Sequence, residues 1–163
     1  MLRLSKLTDY GVVVLVRLSA EPAVQTTPGI AAVTGIPEPT VAKVLKTLAA
    51  AGLVASQRGA HGGYRLARGL DAIAIAEVIT AIEGPIALAA CVAGSSSACE
   101  MLQRCAVRGR WDPVNAAIRE ALGSITLADM QASETPHPFH IGSLARLAAR
   151  PDAPDSHPST PAG

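Results

Sequence analysis

Apolar residues near the start of the chain recur at helical spacing. Leu7, Tyr10, Gly11, Val14, Leu15 and Leu18 fall at i, i+3, i+4, i+7, i+8 and i+11, one stripe of an amphipathic helix. Thr8 or Asp9 is placed to cap it, and Glu21-Pro22 to end it. Pro28 suits the first turn of a short second helix, Gly29 to Val33, halted by Thr34-Gly35. Pro37-Glu38-Pro39 leads into a third helix with Val41, Val44, Leu45 and Leu48 inward, continued by Ala49 to Ala51 and closed by Gly52. The period then changes. Leu53 to Arg58 reads as a strand, Gly59-Ala60-His61-Gly62-Gly63 as a turn, and Tyr64 to Ala67 as the returning strand.

Helical spacing resumes from Ile73 to Glu83, with Ile75, Val78, Ile79 and Ile82 inward, and Gly84-Pro85 stops it. Further on, Val107, Trp111, Val114, Ile118, Ala121 or Leu122, and Ile125 recur at alternating steps of about four and three. This predicts a long C-terminal helix whose first turn is broken or kinked at Asp112-Pro113. Little chain remains to cover such a stripe, so it predicts pairing with a second copy. Thr126 to Asp129 can cap one more short helix. From Ser133 the chain is rich in Pro, His, Ser and Ala, aperiodic apart from Ile141 to Leu147, and reads as a largely disordered tail.

The expected fold is mainly α with a small β-hairpin: a winged helix-turn-helix followed by a long dimerisation helix. Two short helices across a glycine turn are a weak signal alone, and the hairpin behind them sharpens it. The expected division is a DNA-binding part, 1–84, a cysteine loop with the dimerisation helix, 85–131, and the tail, 132–163.

Charge changes the picture more than composition does. The whole chain carries only +1, yet residues 1–70 hold eight Lys/Arg against three acids, and residues 71–131 hold seven acids against four bases. A basic N-terminal half is the footprint of a phosphate-binding surface. Lys43 and Lys46 lie opposite Val44, Leu45 and Leu48 on their helix, as groups facing a groove or phosphate must. Thr40 opens that helix, where side chains reach base edges, and Glu38 and Pro39 are placed to meet bases by shape or through cytosine amino groups. Arg58 and Arg65 flank the wing turn, with His61 at its tip near phosphate. A plain solvated face is the competing reading of each.

A length of 163 residues suits one domain with trimmings. Tyr10, Tyr64, Trp111 and Phe139 are its aromatic residues, so the core is built from Ala, Val, Leu and Ile. The start offers Arg3, Lys6 and an apolar run from Val12 to Val16, but Asp9 precedes the run and Arg17 interrupts it, which argues against a secretory leader. No stretch approaches the ~20 apolar residues of a membrane span, and no constellation supports catalysis. The expected setting is cytoplasmic.

The three cysteines, Cys91, Cys99 and Cys105, read C-x7-C-x5-C with Gly94, Ser95, Ser96 and Ser97 between them. An odd, clustered set argues against a secreted disulfide framework. Three thiolates on one loop suit a soft metal centre with one position left for a weaker ligand. Iron–sulfur, zinc and metal-free thiols all remain open on the residues alone.

The opening MLRLSKLTDYG, the segment GIPEPTVAKVLKTLAAAGLV, the wing SQRGAHGGYRLAR, the helix IAIAEVITAIEG, the cysteines and the closing SITLADM resemble the Rrf-two family of winged-helix regulators, of the IscR/NsrR type. The likeness spans roughly residues 1–130. PEPTVAKVLK and GPIALAAC look most like the branch that regulates sulfur-mobilisation (SUF) cluster-assembly genes. The resemblance implies a homodimeric repressor on operator DNA, its affinity set by a 2Fe-2S or 4Fe-4S cluster on Cys91, Cys99 and Cys105. In one branch a histidine three residues past the last cysteine completes the site, and here that position is Arg108, which cannot ligate as a cation. In another, an aspartate of the first helix reaches across from the partner, and Asp9 matches it, with Glu100 as fallback ligand. A nitric-oxide or redox sensor of the same fold, a cluster-free DNA-binding module and an iron–sulfur carrier are the rivals.

Overall fold

The computed structural model describes residues 3–59, 61–92, 95 and 104–132. Six α-helices and one hairpin are ordered as α1 (Lys6–Ser19), α2 (Thr27–Thr34), α3 (Glu38–Ala50), β1 (Val54–Gln57), β2 (Gly63–Leu66), a 3-10 turn (Leu70–Ala72), α4 (Ile75–Glu83), α5 (Asp112–Gly123) and α6 (Leu127–Ala132). All described residues belong to one unit that ends at Ala132. The expected disordered tail lies outside the described residues.

The core is the inward stripe of each helix meeting the others. Val14, Leu15 and Leu18 of α1, Ile30 of α2, Val41, Val44, Leu45 and Leu48 of α3, and Val78 and Ile79 of α4 are buried in one cluster. α1 packs on α2, α3 and α4, so a displacement of α1 is felt directly by α3. At Gly11 an added Cβ would stand 2.4 Å from Ile82 Cδ1, which shows how close α4 runs to α1.

The α2–α3 turn is made by Gly35, whose φ of 71° is left-handed and whose N–H donates to Ala31 O at 2.9 Å. α2 begins at Thr27, earlier than the glycine-led start expected, because the Thr26 side chain accepts from Gly29 N–H and caps it there. α3 has no side-chain cap. Pro37 precedes it, Pro39 sits in its first turn, and Glu38 lies inside the helix rather than in a lead-in, where an acid complements the helix dipole.

β1 and β2 pair antiparallel in the register Val54↔Leu66, Ala55↔Arg65, Ser56↔Tyr64 and Gln57↔Gly63. Gln25 bridges β2 from outside the hairpin, with its N–H donating to Tyr64 O at 2.9 Å and its carbonyl accepting from Tyr64 N–H at 2.8 Å. Its buried amide nitrogen donates to Leu18 O at 3.2 Å and Glu21 O at 3.3 Å at the end of α1. One residue thus seals the end of α1 and docks the wing.

The cap of α1 corrects an expectation. Neither Thr8 nor Asp9 caps the helix: Ser5 does, its side chain accepting from Thr8 N–H. The reason is long-range. The Glu83 carboxylate, at the end of α4, accepts from Ser5 N–H at 2.7 Å and from the Thr8 hydroxyl, which starts the helix a turn before Asp9.

α5 has 12 residues and begins at Asp112, with Trp111 as its N-cap residue and Pro113 in its first turn. Val107 and Trp111 therefore lie in the turns ahead of the helix. Leu122 and Ile125 pack against the core, whereas Val107, Trp111 and Val114 are each more than 40% exposed. Among the described residues, only the C-terminal half of the apolar stripe is covered. α6 opens as expected: Thr126 N–H donates to Asp129 Oδ2 at 2.8 Å, and Asp129 N–H to Thr126 Oγ1 at 3.1 Å.

Candidate nucleic-acid interface and cysteine loop

α3 turns Val41, Val44, Leu45 and Leu48 into the core, which leaves Glu38, Pro39, Ala42, Lys43 and Lys46 on the opposite, exposed face. Thr40 is half-buried near the start of the helix, its N–H donating to Pro37 O at 2.9 Å. On the hairpin, Arg58, His61 and Arg65 are exposed. Arg65 pairs across the sheet with the small Ala55, so nothing opposite hinders its side chain.

Three bases outside this surface are engaged elsewhere. Arg17 pairs with Glu21 at 2.6 Å, Arg68 pairs with Glu77, and Lys6 lies 5.5 Å from the centre of the Tyr10 ring. Lys43, Lys46, Arg58 and Arg65 have no ion-pair partner among the described residues. Four bases without an ion-pair partner among the described residues therefore share α3 and the wing, the combination that meets a DNA groove and its flanking phosphates.

The other candidate is the loop after α4. Gly84, at φ 90°, turns the chain out of α4, and two turns follow, with Val92 N–H donating to Ala89 O and Ser95 N–H to Val92 O, each at 3.1 Å. Cys91 and Cys105 carry half-buried free thiols on the two sides of the loop. Cys99 and Glu100 lie outside the described residues. Among the described residues no three His, Cys, Asp or Glu side chains converge on a metal position, so within one chain Asp9 is not gathered with Cys91 and Cys105. Asp9 is exposed on α1 and lines a cavity of about 620 Å³ with Arg3, Lys6, Val12 and Met130. Cysteine sulfur is nonetheless the donor a soft iron centre takes, and Cys91 and Cys105 are both free and half-buried.

The Rrf2 family, described as an iron-dependent transcriptional regulator, matches residues 4–133. The chain belongs to the Rrf2 family. A candidate HTH-type transcriptional regulator of Mycobacterium tuberculosis, Rv1287, is 34% identical over 146 residues, covering 88% of this chain and 89% of that protein. CymR, the global cysteine regulator of B. subtilis, superposes with a TM-score of 0.60 at 31% identity, over 80% of this chain and 96% of that one. T. potens IscR does so with a TM-score of 0.57 at 28% identity, over 93% and 94%. The helix-turn-helix and hairpin are thus those of an Rrf2 regulator, and regulation through DNA is its function class. No described helix is long and apolar enough to cross a membrane.

In this Rrf2 chain three polar residues at the joints escaped the periodicity. Gln25 docks the wing, Glu83 clasps α1, and Asn115, 3% exposed, holds the start of the cysteine loop. Asn115 had a readable signal: it shares the i, i+3, i+7 face of Ile118 and Leu122, so a polar group sits on an inward stripe. Glu83 and Gln25 had none, because their partners are distant in sequence or backbone.

The Glu83 carboxyl is held below the usual carboxylate range, chiefly by the hydrogen bond from the Thr8 hydroxyl and then by the Ser5 N–H, against a smaller desolvation effect. A depressed folded value means the clasp stabilises the fold above the unfolded-state value of about 4.3 and is lost as pH falls through the folded value. We expect Glu83→Gln to lower stability to urea at pH 7 while the gap to wild type narrows toward pH 3. A gap that stays constant across that range would show that Glu83 acts without its charge.

Proposed function

We propose that this protein is a cytoplasmic, homodimeric repressor of iron–sulfur cluster assembly (SUF) genes whose operator affinity is set by an iron–sulfur cluster. The observation that carries the DNA-binding part is the set of four bases on α3 and the wing without an ion-pair partner among the described residues. Residues 1–84 bind DNA, and residues 85–131 supply the sensing loop and the dimer contact, for which the exposed Val107, Trp111 and Val114 provide an apolar surface. SUF specificity rests on the likeness of PEPTVAKVLK and GPIALAAC to that branch.

Cys91, Cys99 and Cys105 would hold the cluster, and Asp9 of the partner subunit would complete it, as suits a cavity-lining acid that its own chain does not gather with the thiols. When bound, the group supplies an oxidisable cross-link between loop and helix. The chain does the rest. α1 packs against α3, so a shift of α1 changes how the two recognition helices are spaced, and both half-sites, about 34 Å apart, must be met at once. A nitric-oxide or redox sensor of the same fold uses the same parts on other genes.

Two substitutions separate the roles on α3. Lys46→Ala should weaken operator and random DNA alike and reduce the salt slope by about one unit. Thr40→Ala should cost ~1–3 kcal/mol on operator only. Fluorescence anisotropy on both DNAs over a salt series measures this. Equal losses for Thr40→Ala on both would contradict the placement of α3 in the groove.

A further inference from the structure

One side chain of α5, Asn115, fastens the start of the cysteine loop. Asn115 is 3% exposed, and both ends of its amide are used: Oδ1 accepts from Leu88 N–H at 3.0 Å, and Nδ2 donates to Ile86 O at 3.1 Å. A polar side chain buried on an inward helix face is tolerated only because both ends are satisfied. Its two bonds grip the backbone at Ile86 and Leu88, just ahead of the turn from Ala89 to Val92 that carries Cys91. Just beyond, Val92 is 6% exposed and lines a cavity of about 360 Å³ with Asp112, Asn115, Ala116 and Arg119 of α5. The segment thus meets α5 through the Asn115 bonds ahead of Cys91, and Val92 just after it faces the same helix across this cavity. Cys105, on the far side of the loop, has no such fastening among the described residues.

We propose that Asn115 is the positioning residue of the sensing loop: it fixes the Cys91 end of the loop to α5 and makes that helix, with its exposed apolar residues, move with the loop. This rests on the reading of the cysteines as cluster ligands for its regulatory meaning, but the fastening itself is a property of the chain without metal. Groups that orient a metal ligand typically change metal affinity by about 10–100-fold when removed. Leu could fill the volume of Asn115 without either hydrogen bond, which separates lost orientation from lost packing.

Two measurements on the iron-free full-length protein test the fastening. In wild type, the Leu88 amide should exchange hydrogen as slowly as amides inside α5, and exchange at open-loop rates would overturn the proposal without any variant. In Asn115→Leu and Asn115→Ala, alkylation of Cys91 by iodoacetamide should speed up about 10-fold or more while Cys105 changes little. Equal acceleration of both thiols, or of neither, would reduce Asn115 to a general stabiliser. After anaerobic reconstitution with iron and sulfide, chelator should bleach the variants about 10–100-fold faster than wild type. If wild type takes up no iron, the cluster reading fails while the exchange and alkylation results still decide the fastening. If wild type holds iron and the variants release it no faster, the positioning role fails.

Discussion

Replacing Lys43 and Lys46 together by glutamate is expected to remove operator binding from the working range. Both side chains are exposed on the α3 face opposite the buried stripe, and neither pairs with an acid among the described residues. Each reversal exchanges an attraction for a repulsion at a phosphate, so the pair should cost roughly 100-fold or more, about 3 kcal/mol, near physiological salt. The log–log salt slope should fall by about two units. The fold should survive, because the core residues Val41, Val44, Leu45 and Leu48 are untouched. Anisotropy with circular dichroism checks both halves, and a variant that retains wild-type affinity would remove this face of α3 from the interface.

Cys105→Ala is expected to abolish stable cluster binding outright, since two thiolates cannot replace three. Cys105 is half-buried and outside the hydrophobic core, so helical content and thermal midpoint should change little. Iron and sulfide analysis after anaerobic reconstitution gives the answer. Full wild-type occupancy would take Cys105 out of the ligand set.

The helices and the hairpin were legible because their signals are local. α3 is bounded by Pro37 and Gly52 and carries its stripe at regular spacing, and the wing is bracketed by glycines. The start of α1 was misjudged by one turn because the deciding group, Glu83, arrives from α4, far along the chain. The break expected at Asp112-Pro113 proves to be the start of the helix itself, which leaves Val107 and Trp111 in turns and makes the helix shorter than the stripe suggested. The basic face could be listed residue by residue from the sequence. Which bases are already neutralised could not, because Arg68 and Glu77 meet only through the fold.

The same logic separates what the site's chemistry says from where its parts come together. Thiol spacing alone leaves iron–sulfur, zinc and metal-free thiols open, whereas the proposed meeting of that loop with Asp9 would depend on a second copy of the chain. Asn115 and Glu83 tie the two ends of that arrangement to α5 and α1 within one chain.

The central claim is that cluster occupancy and DNA affinity are linked, and linkage is reciprocal. The measurement is operator affinity of anaerobically purified protein, with its visible spectrum recorded, before and after cluster removal by chelator. The account predicts a brown protein with thiolate-to-iron bands, an operator affinity that changes about 10-fold or more when those bands are bleached, and cluster retention shifted by the same factor when DNA is present. A colourless protein, or one that binds the operator equally tightly before and after bleaching, would contradict it.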